Sequence, residues 1–356
     1  MKAAVLEQLN SPLVVCNLIS PPLSYGQVLI EVHSSGICGA QIREITGSKG
    51  EDPYLPHLLG HEGGGIVVSV GPGVKYVKRG DHVVMHWRKG MGIEASFPVY
   101  LREGVPKEGH NTWDKIGAGS VTTFNEHAVV SENRLTVIEK DIPFDVAALM
   151  GCAVTTGLGL INNEAKLKIG QSIAVAGCGG VGLNVIQGAA MVSANPIIAI
   201  DFDSYKLDFA EVFGATHTIW TKHKSAKDLI EDSFVKLIGR KTVDVFVDCT
   251  GDPEMIEMGL CLVSPGGKLI LVGQPYHECD LVLRSFHRHY CGKMIIDSQG
   301  GLTNPSVDIP HYLDLYRTGK LKLDELITHR FPLEKVNEAI HEMQFGKYGR
   351  IILEMI

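Results

Sequence analysis

The turn Gly177-Cys178-Gly179-Gly180-Val181-Gly182 constrains this chain more than any other feature. It has the spacing G-x-G-x-x-G, follows the apolar run Ser172-Ile173-Ala174-Val175-Ala176, and opens a helical stretch from Val181. In that setting each glycine has a task. Gly177 makes the tight turn, Gly179 lets backbone approach a pyrophosphate, and Gly182 lets helix pack on strand. Gly180 and Val181 begin the helix, whose N-terminus then faces the phosphates. The next apolar run, Pro196 to Ile200, ends in Asp201, nineteen residues after Gly182. An acid about 20 residues on is the one that holds an adenosine ribose. A carboxylate there favours a free 2′-hydroxyl and repels a 2′-phosphate, so NAD is expected over NADP. The runs Asp244–Asp248 and Lys268–Val272, with helical segments before each, extend the pattern to a parallel, doubly wound sheet.

The first 150 residues have another texture. Gln27–His33, Gly65–Val70 and Asp81–Met85 read as short strands, with Gly71-Pro72-Gly73 and Arg79-Gly80 as turns. Short β-rich runs punctuated by Gly and Pro suggest a small barrel. Arg88 to Val121 is polar and aperiodic, and reads as a long surface lobe. From about Pro310 the chain reads as two helices and a final strand, Arg350–Leu353. With 356 residues the chain has room for about two domains. A formal net charge of −7 speaks against nucleic acid as a partner. The most apolar window, Ala147 to Leu160, is too short to span a membrane, and the N-terminus has no secretory pattern. A cytoplasmic protein acting on a small molecule is the expectation. None of the eight cysteines forms C-x-x-C, so a disulfide framework is not expected.

Three residues far apart in sequence suggest a metal. Cys38, His61 in Gly60-His61-Glu62-Gly63-Gly64-Gly65, and Cys152 make a set of one His and two Cys. Such a set suits a catalytic zinc with an open fourth position, which polarises a carbonyl or acidifies a water. Taken singly, each residue reads equally as a core cysteine or a surface histidine.

These elements, in this order, resemble the zinc-dependent alcohol dehydrogenases of the medium-chain dehydrogenase/reductase superfamily. The resemblance runs through Gly80-Asp81, Met150-Gly151-Cys152, Thr155-Thr156-Gly157, Asp201 with Lys206, Val272-Gly273 and the tail Gly346-Lys347-Tyr348-Gly349-Arg350. The tail and the run Thr122–His127 are most similar to the glutathione-dependent formaldehyde dehydrogenase branch. The resemblance implies an α/β chain of two domains. A barrel-like, GroES-like catalytic domain takes residues 1–152 and 298–356, a Rossmann NAD domain takes 153–297, and the active site lies in the cleft between them. It implies hydride transfer between NAD(H) and an alcohol or carbonyl, and a homodimer or homotetramer. Cys38, His61 and Cys152 would bind the zinc, with Glu62 behind it as an alternate ligand. Asp201 and Lys206 would hold the ribose. Gly177 to Gly182 would take the pyrophosphate with Arg350, Val272 and Gly273 would lie by the nicotinamide, and Trp87 would wall the substrate pocket.

Three departures from the family pattern stand out. No cysteine lies between Cys38 and Cys152. The family's structural zinc is therefore not expected, which leaves one zinc per subunit and a lobe held by packing of Trp87, Phe97, Tyr100 and Trp113. Ala40 stands where a relay hydroxyl is usual, Gln41 where an Asp is common, and Arg43 where a relay His is usual. Arginine stays protonated and cannot act as a base. The proton would then leave through water, Glu62 or a substrate hydroxyl. Finally, His86-Trp87-Arg88-Lys89 at the expected pocket mouth points to an anionic or polyhydroxylated substrate, such as a sugar, polyol or phosphorylated compound. Two rival readings remain open: an NAD-retaining epimerase or lyase on the same fold, raised by Ala40 and Arg43, and a non-catalytic NAD-binding protein.

Overall fold

The structure, a computed structural model, describes residues 1–104, 114–222, 227–284 and 286–355. The chain divides into two units, Met1–Cys152 with Asn304–Ile356, and Ala153–Thr303. The first unit opens with strands β1 (Lys2–Leu6), β2 (Val14–Ile19) and β3 (Gln27–Gly36), then helix α1 (Gly39–Ile45). It continues through β4 (His57–Leu58), β5 (Glu62–Val70), β6 (His82–His86), β7 (Val99–Arg102), β8 (Lys115–Gly117), β9 (His127–Ser131), β10 (Leu135–Ile138) and α2 (Phe144–Met150). The second unit holds α3 (Ala153–Gly159), β11 (Ile173–Ala176), α4 (Gly180–Met191), β12 (Ile197–Asp201), α5 (Ser204–Val212) and β13 (His217–Trp220). It closes with α6 (Lys227–Ile238), β14 (Val243–Asp248), α7 (Pro253–Leu262), β15 (Val263–Leu271) and β16 (Met294–Asp297). The chain then returns to the first unit with α8 (Pro305–Arg317), β17 (Ile327–Pro332), α9 (Val336–Phe345) and β18 (Arg350–Glu354).

The second unit is a six-stranded parallel sheet in the order β13-β12-β11-β14-β15-β16. β11, and β12 up to its terminal Asp201, are made of Ile, Val and Ala and are buried throughout, as a sheet covered on both faces requires. The chain leaves this sheet after Asp297, but the second unit runs on to Thr303, past the expected end at 297. Residues 300–303 stay with the second unit because they pack on α3. Thr303 Oγ1 donates to the Thr155 carbonyl at 2.8 Å, and a Cβ on Gly301 would meet the backbone of Thr156 and Leu160 at 2.5 Å.

In the first unit, β1-β2-β7-β8-β4 close a barrel. A second sheet runs β10-β6-β5-β3-β18-β17, with β9 also on β3. The stretch from Arg88 to Val121 is therefore not all loop, since β7 and β8 lie in it. The expected packing of the lobe is also revised. Tyr100 is buried and its hydroxyl accepts the Val129 amide at 2.7 Å, but Phe97 is exposed, and Trp113 lies outside the described residues. Two carboxylates hold the lobe instead. Buried Glu132 accepts the amides of Lys75 and Tyr76 on Oε1 and that of Ile93 on Oε2. Glu94 accepts from Ser120 Oγ, Asn133 Nδ2 and Arg134 Nη2 at 2.8–2.9 Å and pairs with Lys89 at 3.1 Å. Burial works against ionising Glu94, but these donors hold its carboxyl down at about 2. Among the described residues, no single helix is long and apolar enough to cross a membrane.

Candidate metal and active site

Strand β3 ends at Gly36, and Cys38 follows at the mouth of α1, so its thiol is presented by a strand–helix turn. His61 sits in the turn before β5. Gly60 takes φ +89° there, and a Cβ on it would meet Thr123 Oγ1 at 2.3 Å, so only glycine fits. Cys152 follows α2, which packs on β5. The outcome is a convergence. The ligand atoms of Cys38, His61 and Cys152 lie within 4.8 Å of one another, and the two Sγ atoms are 4.0 Å apart. Two thiolates on one tetrahedral zinc, with Zn–S of about 2.3 Å, would lie about 3.8 Å apart. The donor set and its spacing therefore fit zinc.

Cys38 is the thiol that ionises first. The hydrogen bond from Cys152 holds its titration well below the thiol range; burial opposes this, and His61 and Arg350 support it. Cys152 is correspondingly pushed up by Cys38 and by burial. Gln41 orients both neighbours. Its Oε1 accepts the Cys38 amide at 2.8 Å, and its Nε2 contacts His61 Nδ1. Behind the thiols, fully buried Glu62 pairs with Arg350. Burial raises the Glu62 carboxyl against the pull of Arg350, and its Oε2 has no hydrogen-bond partner. Gly36 makes room for the pair: a Cβ there would lie 2.8 Å from Glu62 Cδ and 2.9 Å from an Arg350 Nη2. The resemblance sends Arg350 to the cofactor phosphates; in the structure its Nη2 pairs with buried Glu62. Glu62 itself has no exposed atom from which to pass a proton to solvent.

The other expected site residues are placed unevenly. His86 is corrected. It is buried, with Nδ1 on the Arg88 carbonyl at 2.7 Å and Nε2 on Thr136 Oγ1 at 2.9 Å. Burial lowers it to about 4, and both ring nitrogens are engaged by the protein itself. Trp87 is half-buried with the Arg88 guanidinium 5.7 Å from its ring centre. Its carbonyl accepts from Arg134, a buried positioning residue that no motif signals. Lys89 is engaged by Glu94. Arg43 is half-buried in the last turn of α1, three residues after Ala40, which carries no hydroxyl.

In the second unit, Gly177 takes φ +89°, and a Cβ on Gly182 would lie 1.9 Å from the Gly177 carbonyl oxygen. A Cβ on Gly179 would meet nothing within 4 Å, so the turn is open there, as the approach of a pyrophosphate requires. Asp201 ends β12, with Oδ2 on the Cys178 amide at 2.7 Å and Oδ1 on the Asp203 amide at 2.9 Å. Lys206 lies in α5, half-buried. The Val272 and Gly273 amides both donate to the Asp248 carbonyl at 2.9 Å, and a Cβ on Gly273 would lie 2.2 Å from the Gly251 nitrogen. The turn and the ribose-position acid fit NAD.

Comparison with known proteins decides the family. Residues 24–140 match the alcohol dehydrogenase GroES-like domain, and residues 180–315 match the zinc-binding dehydrogenase domain. The chain belongs to the zinc-dependent alcohol dehydrogenases. It is 30% identical over 378 residues to the class-3 alcohol dehydrogenase of Cereibacter sphaeroides, covering 99% of each chain. It is 32% identical over 375 residues to a probable S-(hydroxymethyl)glutathione dehydrogenase of Schizosaccharomyces pombe, covering 99% of this chain and 97% of that one. The crystal structure of benzyl alcohol dehydrogenase from Acinetobacter calcoaceticus superposes with a TM-score of 0.86 at 25% identity, covering 100% and 99%. As a member of this family the chain is an oxidoreductase that uses zinc and NAD.

Proposed function

We propose that this alcohol dehydrogenase interconverts a polar, anionic alcohol and its carbonyl, with one zinc per subunit held by Cys38, His61 and Cys152. The convergence of those three side chains carries the reading. When bound, zinc supplies polarisation of the substrate oxygen and NAD accepts or returns the hydride. The chain's own residues do the rest. Gln41 orients Cys38 and His61, the Glu62–Arg350 pair fixes charge behind the thiols, and Glu132 and Glu94 replace a second zinc in holding the lobe. Ala40 offers no hydroxyl and buried Glu62 no exit, so the alcohol proton leaves through water or a substrate hydroxyl. Asp201 selects NAD, and Asp201→Ser is expected to narrow the NAD preference in a binding titration; tighter NADP binding by the unmodified protein would contradict the assignment.

The substrate's charge is supported by Arg88 beside Trp87, and by relatives named for S-(hydroxymethyl)glutathione, an anionic adduct. A desolvated charge-assisted contact contributes about 1.5–3 kcal/mol, or one to two decades in kcat/KM. The experiment is NADH formation across anionic and neutral alcohols with Arg88→Ala as comparison. The anionic substrates should lose about ten- to a hundredfold and the neutral ones little. A small neutral alcohol as best substrate, handled normally by the variant, would remove the anionic assignment. Ala40 and Arg43 keep an NAD-retaining epimerase as the second reading, and turnover without added NAD would favour it. Exposed Tyr290, Met294 and Ile295 on and beside edge strand β16 suit a homo-oligomer, which light scattering reads directly. Eight cysteines, none of them in a disulfide, suit a reducing compartment such as the cytoplasm.

A further inference from the structure

Strand β14 ends in a carboxylate, Asp248, that is fully buried. It lies in register between Ala176, which leads into the glycine turn, and Leu271, which leads to Val272 and Gly273. Three donors converge on its carboxyl. Thr250 gives its amide at 3.2 Å and its hydroxyl at 2.5 Å to Oδ1, and the Gly251 amide lies 2.9 Å from Oδ2. The Thr250 hydroxyl accepts the Asp252 amide at 3.0 Å, so its own proton goes to Asp248. An ionised carboxyl meets all three donors; a protonated one has a proton of its own to place among them. Burial raises the titration of Asp248 and the charge of Asp252 adds to the rise, while the three donors oppose it. Among the described residues no cation pairs with it. A buried charge held by neutral donors alone costs stability, and such groups concentrate at functional sites.

The loop held by this carboxyl, residues 249–251, packs between two segments expected at the cofactor. A Cβ on Gly177 would lie 3.0 Å from Thr250 Cγ2, and one on Gly273 would lie 2.7 Å from the carbonyl carbons of Cys249 and Thr250. Gly251 takes φ +71°, and a Cβ on it would lie 2.2 Å from the Gln274 carbonyl oxygen. The Asp248 carbonyl takes the Val272 and Gly273 amides, so one residue anchors the loop by its side chain and the end of β15 by its main chain. We propose that ionised Asp248 is a positioning residue for NAD, setting the spacing between the pyrophosphate turn and the Val272–Gly273 segment. This role rests on the cofactor lying along those two segments. The titratable groups around it are Asp252 at the start of α7 and the Cys249 thiol, with Cys178 and Asp201 beyond the turn. Ala176 and Gly177 after β11, and Leu271 to Gly273 at the end of β15, bring no charge.

The test is a fluorescence titration of the zinc-loaded protein with NADH across a pH series, with retained zinc and circular dichroism followed on each sample. Asp248→Asn keeps the shape but turns a donor towards the donors of Thr250 or Gly251, so NADH binding should weaken about tenfold or more at neutral pH. In the unmodified chain, affinity should start to fall above the ordinary carboxylate range as pH is lowered, because protonation of Asp248 does what the amide does. Asp248→Asn should lack that upper part of the fall. Thr250→Val removes one donor to the ionised form, so its fall should begin at higher pH than in the unmodified chain. Equal NADH affinity in the unmodified chain and Asp248→Asn, or the same fall in both, would overturn the role of Asp248. If Asp248→Asn does not fold, a fall left unmoved by Thr250→Val overturns it instead. Asp201→Ser separates the two failures: weaker NADH binding there, with none lost at Asp248, keeps the cofactor assignment and removes only the role of Asp248. An unmodified chain that binds no NADH removes both.

Discussion

Cys38→Ala is expected to abolish zinc binding and turnover together while leaving a folded chain. Cys38 contributes one of three donors, and it is the thiol that ionises first because Cys152, His61 and Arg350 all favour its anion. Without it, two donors remain for an ion that needs at least three from protein. Loss of Lewis-acid polarisation removes several kcal/mol of transition-state stabilisation, on the order of a thousandfold in kcat or more. Its backbone role is separable: Cys38 accepts the Gln41 amide through its carbonyl, which alanine keeps. Metal analysis, circular dichroism and NADH formation on one preparation check the three parts. A variant that keeps both zinc and rate would remove Cys38 from the site.

Arg350→Ala should be the most destabilising of the simple substitutions, at about 3–5 kcal/mol, because it leaves Glu62 charged and alone where no atom reaches solvent. Both side chains are buried, with Gly36 packed against the pair. The double variant Glu62→Gln, Arg350→Met removes both charges at similar volume and should recover most of that loss. Urea unfolding of the two singles and the double checks the coupling. Additive losses would show that the two side chains do not depend on each other.

How much of this was legible beforehand follows from burial. β11 and β12 are covered on both faces, so their Ile, Val and Ala runs announce a parallel sheet, and Gly177, Gly179 and Gly182 announce the turn. The edge strands gave no such signal. β13 is His-Thr-Ile-Trp, and β16 is a short run whose residues stay largely exposed. β7 and β8 are three or four residues long inside a polar stretch, below the length at which alternation can be seen. β17 escaped notice because its run Ile-Thr-His-Arg-Phe-Pro is half polar and only partly buried, without an apolar alternation. At the site, residue type and spacing were enough to name Cys38, His61 and Cys152, but not direction. His86 and Arg88 differ by two positions, yet one points inward to Thr136 and the other lies over Trp87. The Glu62–Arg350 pair spans 288 residues, and the Glu132 and Glu94 networks bind mostly backbone or polar groups without a motif. Contacts of that kind are set by how strands register and not by local pattern.

The central claim is that Cys38, His61 and Cys152 hold one zinc on which NAD-linked alcohol oxidation depends. The most direct measurement counts zinc and NADH formation on the same dialysed protein, before chelation, after it, and after zinc is returned. One zinc per chain, loss of NADH formation with the zinc, and recovery on adding one equivalent are the predicted result. Full activity in zinc-free protein, or two zincs retained per chain after dialysis, would contradict it.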